Sequence, residues 1–244
     1  MIVTLANQKG GVSKTTTAFI LGCGLVDRGY RVIFIDLDPQ RNLSFLLQAK
    51  PGSGSKELLQ GSQAKHTIQE TGSGYYLIQG SRDLAAAAGL TADTLRKAIT
   101  PIKEIPDYII IDTPPQLSAL TINAFTAADT VIIPTIPSGL AIQGIAELSK
   151  TIREIKAAYN PGLSIAGILF TKYNDRAIIN RQLHTAAETV AAAAGTKVYK
   201  ATIRQSVTIE EALAQQQSIF TYAPHAPVTG DYESFITEFI GDQQ

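Results

Sequence analysis

Short apolar runs recur along the chain, and each has the length of a β-strand buried on both faces. Residues 31–36 (RVIFID) and 108–112 (YIIID) are the clearest, and both end in an aspartate. Further strands are predicted at residues 2–6, 75–79, 130–134 and 164–171, with a short one near Val198. Strands of this kind are typical of a parallel sheet that is covered by helices on both sides.

Between these runs, apolar residues recur at the three- and four-residue spacing of amphipathic helices. Residues 141–159 give the longest helix, and others are predicted at residues 18–26, 84–88, 95–99, 118–127, 178–194, 207–214 and 231–240. The alternation predicts an α/β fold, a single domain over residues 1–244 with a mostly parallel, twisted central sheet flanked by helices on both faces. Residues 49–74 are polar and rich in Gly, Ser, Gln and Lys, so we expect a variable surface excursion there.

The composition is that of a soluble globular protein, with 45% hydrophobic and 17% charged residues. The 21 basic and 21 acidic side chains balance, so any affinity for DNA requires a local basic patch or an assembly that aligns several patches. The single cysteine, Cys23, excludes an internal disulfide and fits a reducing compartment. We expect a cytoplasmic protein, because Met1 leads directly into the first strand and no apolar run reaches the roughly 18 residues of a membrane span.

The stretch that carries the chemistry is residues 2–16, in which a strand, a glycine-rich turn and a helix follow one another. This order builds a phosphate-binding loop, whose backbone N–H groups and helix N-terminus face the anion. Lys14 brings a full positive charge to the phosphates, and the Thr15 hydroxyl can ligate Mg²⁺. The usual pattern G-x-x-x-x-G-K-[ST] is not met, since Gln8 and Ser13 stand where its two glycines belong.

Residues 9–16, KGGVSKTT, resemble the deviant Walker-A loop of the ParA/MinD family of ATPases, which usually reads KGGVGKTT. The resemblance extends over DLDPQ (36–40), IIDTPP (110–115), FTKY (170–173) and SIFTYAP (218–224). In this chain Ser13 and Arg41 replace glycines of the family pattern, and a serine at position 13 must adopt the backbone angles of that glycine. The resemblance implies ATP or ADP with Mg²⁺ as ligands. It places the nucleotide phosphates at Lys9, Gly10, Gly11, Val12, Ser13, Lys14, Thr15 and Thr16.

Carboxylates at the ends of two predicted strands complete the expected site. Asp112 would hold Mg²⁺ through a water molecule while Thr15 ligates it directly. The resemblance assigns the positioning of the attacking water to Asp38 and support of the Mg²⁺ shell to Asp36. Lys9 would reach across a dimer interface to the phosphates of the partner's ATP, so the expected catalytic set is Lys9, Lys14 and Asp38.

Contacts to the base and to DNA are predicted from the later part of the chain. The resemblance places the adenine near Asn174, after the strand at 164–171, and near Pro224. Candidate DNA-binding residues are the basic side chains of the C-terminal third: Lys172, Arg176, Arg181, Lys197, Lys200 and Arg204. Each of them alone is more often a solvated surface residue than a phosphate contact.

Several branches share this ATPase core, and the sequence separates some of them. The acidic C-terminus does not suit a membrane-bound MinD-like regulator, a single cysteine cannot hold the cluster of a nitrogenase iron protein, and no helix-turn-helix precedes the first strand. The expected function is therefore that of a small, Soj-like ParA ATPase for DNA partition. It would hydrolyse ATP to ADP and phosphate, form a homodimer on binding ATP, bind DNA non-specifically on the nucleoid and be stimulated by a ParB-like centromere-binding partner. An ATPase that positions a protein cargo or regulates cell division, and a small-molecule ligase of the related synthetase type, remain open alternatives.

Overall fold

Seven strands form one sheet in the computed structural model, which describes residues 1–86 and 89–242. They are β1 (Ile2–Leu5), β2 (Val32–Asp36), β3 (Ile68–Glu70), β4 (Tyr76–Ile78), β5 (Tyr108–Asp112), β6 (Thr130–Thr135) and β7 (Ser164–Phe170). Their order across the sheet is β3-β4-β2-β5-β1-β6-β7. Neighbouring strands are parallel except for the edge strand β3, which pairs with β4 in the antiparallel direction.

Ten α-helices connect the strands within these described ranges. They are α1 (Lys14–Val26), α2 (Asn42–Leu46), α3 (Ser55–Leu59), α4 (Thr94–Ile99), α5 (Ala119–Ala127), α6 (Gly139–Ala158), α7 (Ile178–Ala193), α8 (Val207–Ala214), α9 (Ile219–Tyr222) and α10 (Pro227–Gly241). Three 3-10 helices lie at Ala64–His66, Arg82–Ala86 and Thr100–Ile102. None of the described helices is both long and apolar enough to cross a membrane.

Alternate residues of each strand fill two apolar layers on opposite faces of the sheet. On one face, Ile109 and Ile111 of β5 pack in a cluster with side chains of α3, α4, α5 and α6. On the other face, Ile110 packs with α1, α8 and α10, and the aromatic rings of Phe235 and Phe239 are fully buried there. The carboxyl ends of β1, β2 and β5, which are adjacent, therefore meet at one edge of a sheet whose two faces are closed.

The α/β architecture, with a mostly parallel sheet flanked on both faces, is confirmed. Some elements differ from the prediction: α1 begins at Lys14 and α10 at Pro227, while Val198 forms only an isolated bridge with Ile168. The helix predicted at residues 84–88 is a 3-10 helix at Arg82–Ala86, and residues 87 and 88 lie outside the described residues. Segment 49–74 is more than a surface excursion, because it supplies β3 and buries Leu58 of α3 against the sheet.

Candidate active site

The phosphate loop joins β1 to α1 and contains two residues, Gly11 and Ser13, with a positive φ. Gly11 has a φ of 75°, which glycine adopts without steric cost. Ser13 has φ 61° and ψ 31°, a left-handed conformation that costs a residue with a side chain about 1–2 kcal/mol. Ser13 thus takes up the conformation that the replaced glycine would favour. Its carbonyl accepts a 2.8 Å hydrogen bond from the N–H of Thr17, which closes the first turn of α1.

Lys14, the first residue of α1, is buried beside two carboxylates. Burial lowers the pKa of its ammonium group, and the negative charges of Asp112 and Asp38 partly oppose that shift. A cation held in this way at a helix N-terminus suits the predicted contact of Lys14 with nucleotide phosphates. The structure therefore brings Lys14, Asp38 and Asp112 into one electrostatic group.

Thr15 and Asp112 are in direct contact at the mouth of the loop. The Thr15 hydroxyl donates a 2.7 Å hydrogen bond to Oδ2 of Asp112, while Oδ1 of this fully buried carboxylate has no hydrogen-bond partner in the described part of the chain. Burial raises the pKa of Asp112 well above its usual value, and the charge of Asp36 raises it further. A hydroxyl and an unpaired buried carboxylate oxygen are hard ligands that suit Mg²⁺, which commonly takes only one or two protein ligands and completes its shell with water and phosphate oxygens. The residues present thus fit the ion.

Asp36 ends β2 opposite Asp112 of β5, to which it is paired in the sheet register. Its Oδ2 accepts hydrogen bonds from the N–H (2.9 Å) and the hydroxyl (2.6 Å) of Ser44, and its Oδ1 accepts one from the N–H of Asp38 (3.0 Å). Burial raises the pKa of Asp36 to about 6, although these hydrogen bonds favour the ionised form. Asp36 therefore connects the start of α2 to the end of β2 through these hydrogen bonds. Its expected support of the Mg²⁺ shell stays a prediction.

Asp38 lies in a tight turn directly after β2. Its Oδ1 accepts the N–H of Gln40 at 2.9 Å, and its carbonyl accepts the N–H of Arg41 at 2.9 Å. Only 6% of Asp38 is exposed, so its carboxylate is held at the edge of the sheet rather than in bulk solvent. This placement, near Lys14, suits the predicted positioning of a water molecule.

Lys9 precedes the glycine pair and is half-buried. Its N–H donates to Oδ1 of Asn7 at 2.9 Å, and its Nζ donates to the hydroxyl of Ser138 at 3.1 Å. Ser138 caps α6, accepting from the N–H of Ala141 at 3.3 Å. In the single chain, Lys9 thus spans from the loop to the start of α6, and its role across a dimer interface stays a prediction.

A pocket opens directly beside the phosphate loop, from Ser13 and Thr16 toward α8. Lys172, Arg204 and Ser206 line it, together with Thr171, Ile203, Gln205, Val207, Ile209, Glu210 and Tyr232. The predicted adenine contacts, Asn174 and Pro224, are exposed and do not line this pocket. Asn174 instead organises the turn before α7, where its Oδ1 accepts from the N–H of Arg176 at 3.1 Å and its carbonyl from Nδ2 of Asn180 at 2.9 Å.

The candidate DNA-binding residues fall into two groups. Arg204 forms a bidentate ion pair with Asp231 of α10 (2.7 and 2.8 Å). Lys197 pairs with Glu238 at 2.8 Å and with Asp242 at 2.6 Å. Lys172, Arg176, Arg181 and Lys200 are exposed and have no ion-pair partner among the described residues. Of these, Lys172, Arg176 and Arg181 cluster between the end of β7 and the first turn of α7, which is at the active-site edge.

Sequence reasoning missed several residues that shape the site. Ser44 and Gly80 bind one another across the sheet edge, with the N–H of Gly80 donating to the Ser44 hydroxyl at 2.8 Å. No local pattern identifies this pair, because the two residues meet only through the pairing of β2 with β4. Ser206 had a usable signal, since it stands directly before a helical pattern and caps α8 through the N–H of Thr208 at 3.2 Å.

Comparison with known proteins adds an independent finding. A family model described as an AAA domain matches residues 1–165. The chromosome-partitioning ATPase Soj of Thermus thermophilus is 35% identical over 245 residues, covering 99% of this chain and 96% of the relative. The chain belongs to the ParA/MinD family of phosphate-loop ATPases.

Comparison with solved structures agrees with this assignment. Apo McdA from Cyanothece superimposes with a TM-score of 0.88 at 25% identity, covering 98% of this chain and 99% of that chain. A cobyrinic acid a,c-diamide synthase from Mycobacterium smegmatis is 35% identical with a TM-score of 0.69, over 75% of this chain and 76% of that chain. The latter was solved with an ATP analogue and magnesium, the nucleotide type and metal ion that the sequence of this ParA/MinD member predicts.

Proposed function

We propose that this protein is a ParA-type ATPase for DNA partition that hydrolyses ATP to ADP and phosphate with Mg²⁺. The observation that carries the proposal is the contact between the Thr15 hydroxyl and Asp112 at the mouth of the phosphate loop, where one carboxylate oxygen is buried without a partner in the described part of the chain. A pocket continues from the same loop toward α8. The two features together suit a magnesium-bound triphosphate whose base lies toward α8.

Each residue of the site has a role that its position supports. The loop N–H groups and Lys14 bind the phosphates, and Thr15 and Asp112 hold the Mg²⁺, which neutralises charge on the phosphate oxygens. Asp38, fixed by Gln40, orients the water that attacks the γ-phosphate. The pocket beside the loop is lined by the segment around Ser206, which we propose as a further base contact, while base contacts from Asn174 and Pro224 stay a prediction.

We further propose that ATP closes two copies of the chain face to face at the active-site edge. Exposed apolar side chains follow the carboxyl ends of β5, β6 and β7, namely Leu117, Leu140, Ile178 and Ile179, and Val207 stands at the start of α8 beside the base pocket. Exposed apolar side chains around a nucleotide site are typical of a protein interface. Lys9, whose Nζ donates a hydrogen bond to the Ser138 hydroxyl in the single chain, would then reach the phosphates of the partner's nucleotide.

The DNA-binding surface that we propose is the cluster of Lys172, Arg176 and Arg181, which we call the α7 patch. These side chains are exposed, whereas Arg204 and Lys197 are held by acidic residues of α10. Because the chain has no net charge, its overall electrostatic attraction to DNA is weak. We therefore expect that both copies of the α7 patch in a dimer must contact the same DNA. The similarity to the chromosome-partitioning ATPase Soj favours DNA partition as the purpose of this binding, with a ParB-like protein stimulating hydrolysis.

DNA retention with and without nucleotide tests the proposal. The protein is passed over an immobilised duplex of arbitrary sequence with Mg²⁺ and ATP, ADP or no nucleotide. We expect retention only with ATP. Because two copies of the α7 patch neutralise up to about six phosphates, affinity should fall about 10³-fold between roughly 50 and 200 mM salt.

Three variants make the test specific. Lys14→Ala should lose ATP binding and DNA retention together. The triple change Lys172→Gln, Arg176→Gln and Arg181→Gln should lose DNA retention while keeping ATP binding. A matched triple change in exposed basic residues of α6, Lys150→Gln, Arg153→Gln and Lys156→Gln, should keep both. Retention that is independent of ATP and of salt, or that is lost equally in the two triple variants, would contradict the proposed DNA-binding function.

A further inference from the structure

Arg41 occupies a backbone conformation that glycine favours. It has φ 60° and ψ 29°, and it stands at the N-cap of α2, directly after the turn that carries Asp38. A left-handed residue with a side chain is disfavoured by steric contact between Cβ and the backbone. A side chain kept at such a position needs a compensating contact, so the partners of the guanidinium group become informative.

The Arg41 side chain reaches the end of strand β4. Its Nη2 donates a 3.0 Å hydrogen bond to Oε1 of Gln79, which is itself only 4% exposed. The amide group of Gln79 is fixed from the other side, because its Nε2 donates to the carbonyl of Gly52 at 2.5 Å. The backbone carbonyl of Gln79 accepts the N–H of Ser55 at 2.8 Å. Gln79 is therefore a rigid acceptor for Arg41.

The turn that Arg41 anchors is the one that holds the catalytic acid. The N–H of Arg41 donates to the carbonyl of Asp38, closing residues 38–41, while Ser44 in the first turns of α2 binds both Asp36 and Gly80. The turn and α2 are thus attached to the end of β4 at two points. One point is the contact between Ser44 and Gly80, and the other depends on the side chain of Arg41.

We propose that Arg41 is a positioning residue for ATP hydrolysis, because its hydrogen bond to Gln79 fixes the turn that presents Asp38 to the phosphate loop. This inference rests on the proposed function, in which Asp38 orients the attacking water. Arg41 acts through Asp38 and does not itself touch the nucleotide. It therefore governs the rate of the chemical step and leaves nucleotide binding, which depends on the phosphate loop, unchanged.

The substitution Arg41→Gly isolates this role, because glycine accepts φ 60° without strain and so removes the anchor without disturbing the turn conformation. We expect the single-turnover rate of ATP hydrolysis with Mg²⁺ to fall about tenfold, the size of effect associated with a hydrogen bond to a charged group. Affinity for a fluorescent ATP analogue should stay within about twofold. Amide hydrogen exchange in residues 38–46 should become about tenfold faster, since local opening no longer breaks the bond to Gln79.

Four further variants separate the anchor from other effects. Gln79→Leu removes the acceptor and should slow hydrolysis as Arg41→Gly does, whereas Gln79→Glu keeps an acceptor for Arg41 but loses the donor to Gly52 and should recover at least half of the lost rate. Combining Arg41→Gly with Gln79→Leu should cost little more than either change alone, because both break the same bond. Arg82→Gln removes an exposed positive charge that lines the same surface pocket as Arg41, and it should hydrolyse ATP at the wild-type rate.

The outcomes distinguish this inference from the proposed function. Wild-type hydrolysis by Arg41→Gly, an equal loss in Arg82→Gln, or unchanged amide exchange at residues 38–46 would overturn the role of Arg41 while leaving the ATPase intact. A tenfold fall in nucleotide affinity in Arg41→Gly would also overturn it. If the wild-type protein binds the fluorescent analogue but does not hydrolyse ATP, the proposed hydrolase fails. In that case the exchange measurement still reports whether Arg41 anchors the turn.

Discussion

Replacing Asp112 by asparagine should make the metal-free, nucleotide-free protein more stable. Asp112 is fully buried at the end of β5, and its Oδ1 has no hydrogen-bond partner among the described residues. The neighbouring carboxylates of Asp36 and Asp38 add repulsion. Asparagine has nearly the same shape, keeps an oxygen that can accept from the Thr15 hydroxyl, and carries no charge.

The size of the effect follows from the charge that is removed, because the amide nitrogen of asparagine is left without a partner at the same buried position. An unpaired buried polar group costs about 1–3 kcal/mol and a charged one costs more, so we take about 1–3 kcal/mol as the gain from removing the charge. For a chain of 244 residues, each kcal/mol shifts the unfolding temperature by roughly 2–4 °C. Asp112→Asn should therefore raise the Tm by about 2–12 °C when metal and nucleotide are absent. The wild-type carboxylate lowers the stability of the metal-free protein because no bound cation compensates its buried negative charge.

The gain should depend on pH in a definite direction. Because the pKa of Asp112 is raised in the folded protein, the folded state holds a proton that the unfolded state releases above about pH 3.9. The stability of the wild-type protein consequently falls as pH rises from this value through the folded-state pKa. Asparagine does not titrate, so the advantage of Asp112→Asn should be largely absent at about pH 4 and clearly larger at about pH 8.

Thermal unfolding with EDTA at these two pH values measures the effect. Asp107→Asn is the control of opposite sign, since the hydrogen bonds from Arg31 lower the pKa of the exposed Asp107 to about 2. Its carboxylate stabilises the fold above the unfolded pKa and loses that contribution as pH falls toward 2, so removing it should lower the Tm at about pH 8. A lower Tm for Asp112→Asn at about pH 8 would refute the reasoning, as would a gain of the same size at both pH values. On adding Mg²⁺ and ATP, the wild-type protein should gain more in Tm than the variant.

Two other predictions concern the phosphate loop and the catalytic turn. Ser13→Gly removes the conformational cost of a left-handed serine, while the greater flexibility of glycine in the unfolded chain offsets about 0.5–1 kcal/mol of that gain. The variant should therefore raise the Tm by about 1–3 °C and leave nucleotide affinity unchanged. A fall in Tm would contradict this. Asp38→Ala should bind ATP, hydrolyse it at least about 10²-fold more slowly and elute as a dimer from size-exclusion chromatography in ATP, because the residue that orients the water is lost while the phosphate loop is intact. Elution as a monomer would count against the proposed ATP-closed dimer.

The sheet was predictable from the sequence because its strands carry their own signal. Continuous apolar runs that end in Asp36 or Asp112 define both the burial of a parallel strand and the edge at which its chemistry lies. The positions of Lys14 and Thr15 followed from the glycine-rich turn between a strand and a helix. In these cases the local pattern and the global fold agree, which is why reasoning along the chain was sufficient.

Features that depend on distant partners were not predictable in the same way. Segment 49–74 has a polar composition, yet Leu58 is buried and Ser55 donates from its hydroxyl to the carbonyl of Asp36 at 2.7 Å. Nothing near position 55 indicates that contact, since it arises only when β4 pairs with β2. Likewise, Arg204 is one of the basic residues predicted to bind DNA, but an aspartate 27 residues later, Asp231, holds its guanidinium group. The sequence could identify these residues as polar or basic, but it could not show which distant residue each of them contacts.

Ser13 and Arg41 each replace a glycine of the family pattern, but restoring glycine should have different effects at the two positions. Both residues are left-handed, with φ of 61° and 60°, so both carry a similar conformational cost. Ser13 makes no capping hydrogen bond that would offset it, whereas Arg41 reaches the buried acceptor of Gln79. Returning position 13 to glycine should therefore leave catalysis unchanged and stabilise the fold. The same change at position 41 removes an anchor of the Asp38 turn and should slow hydrolysis even though the backbone there is relieved of strain.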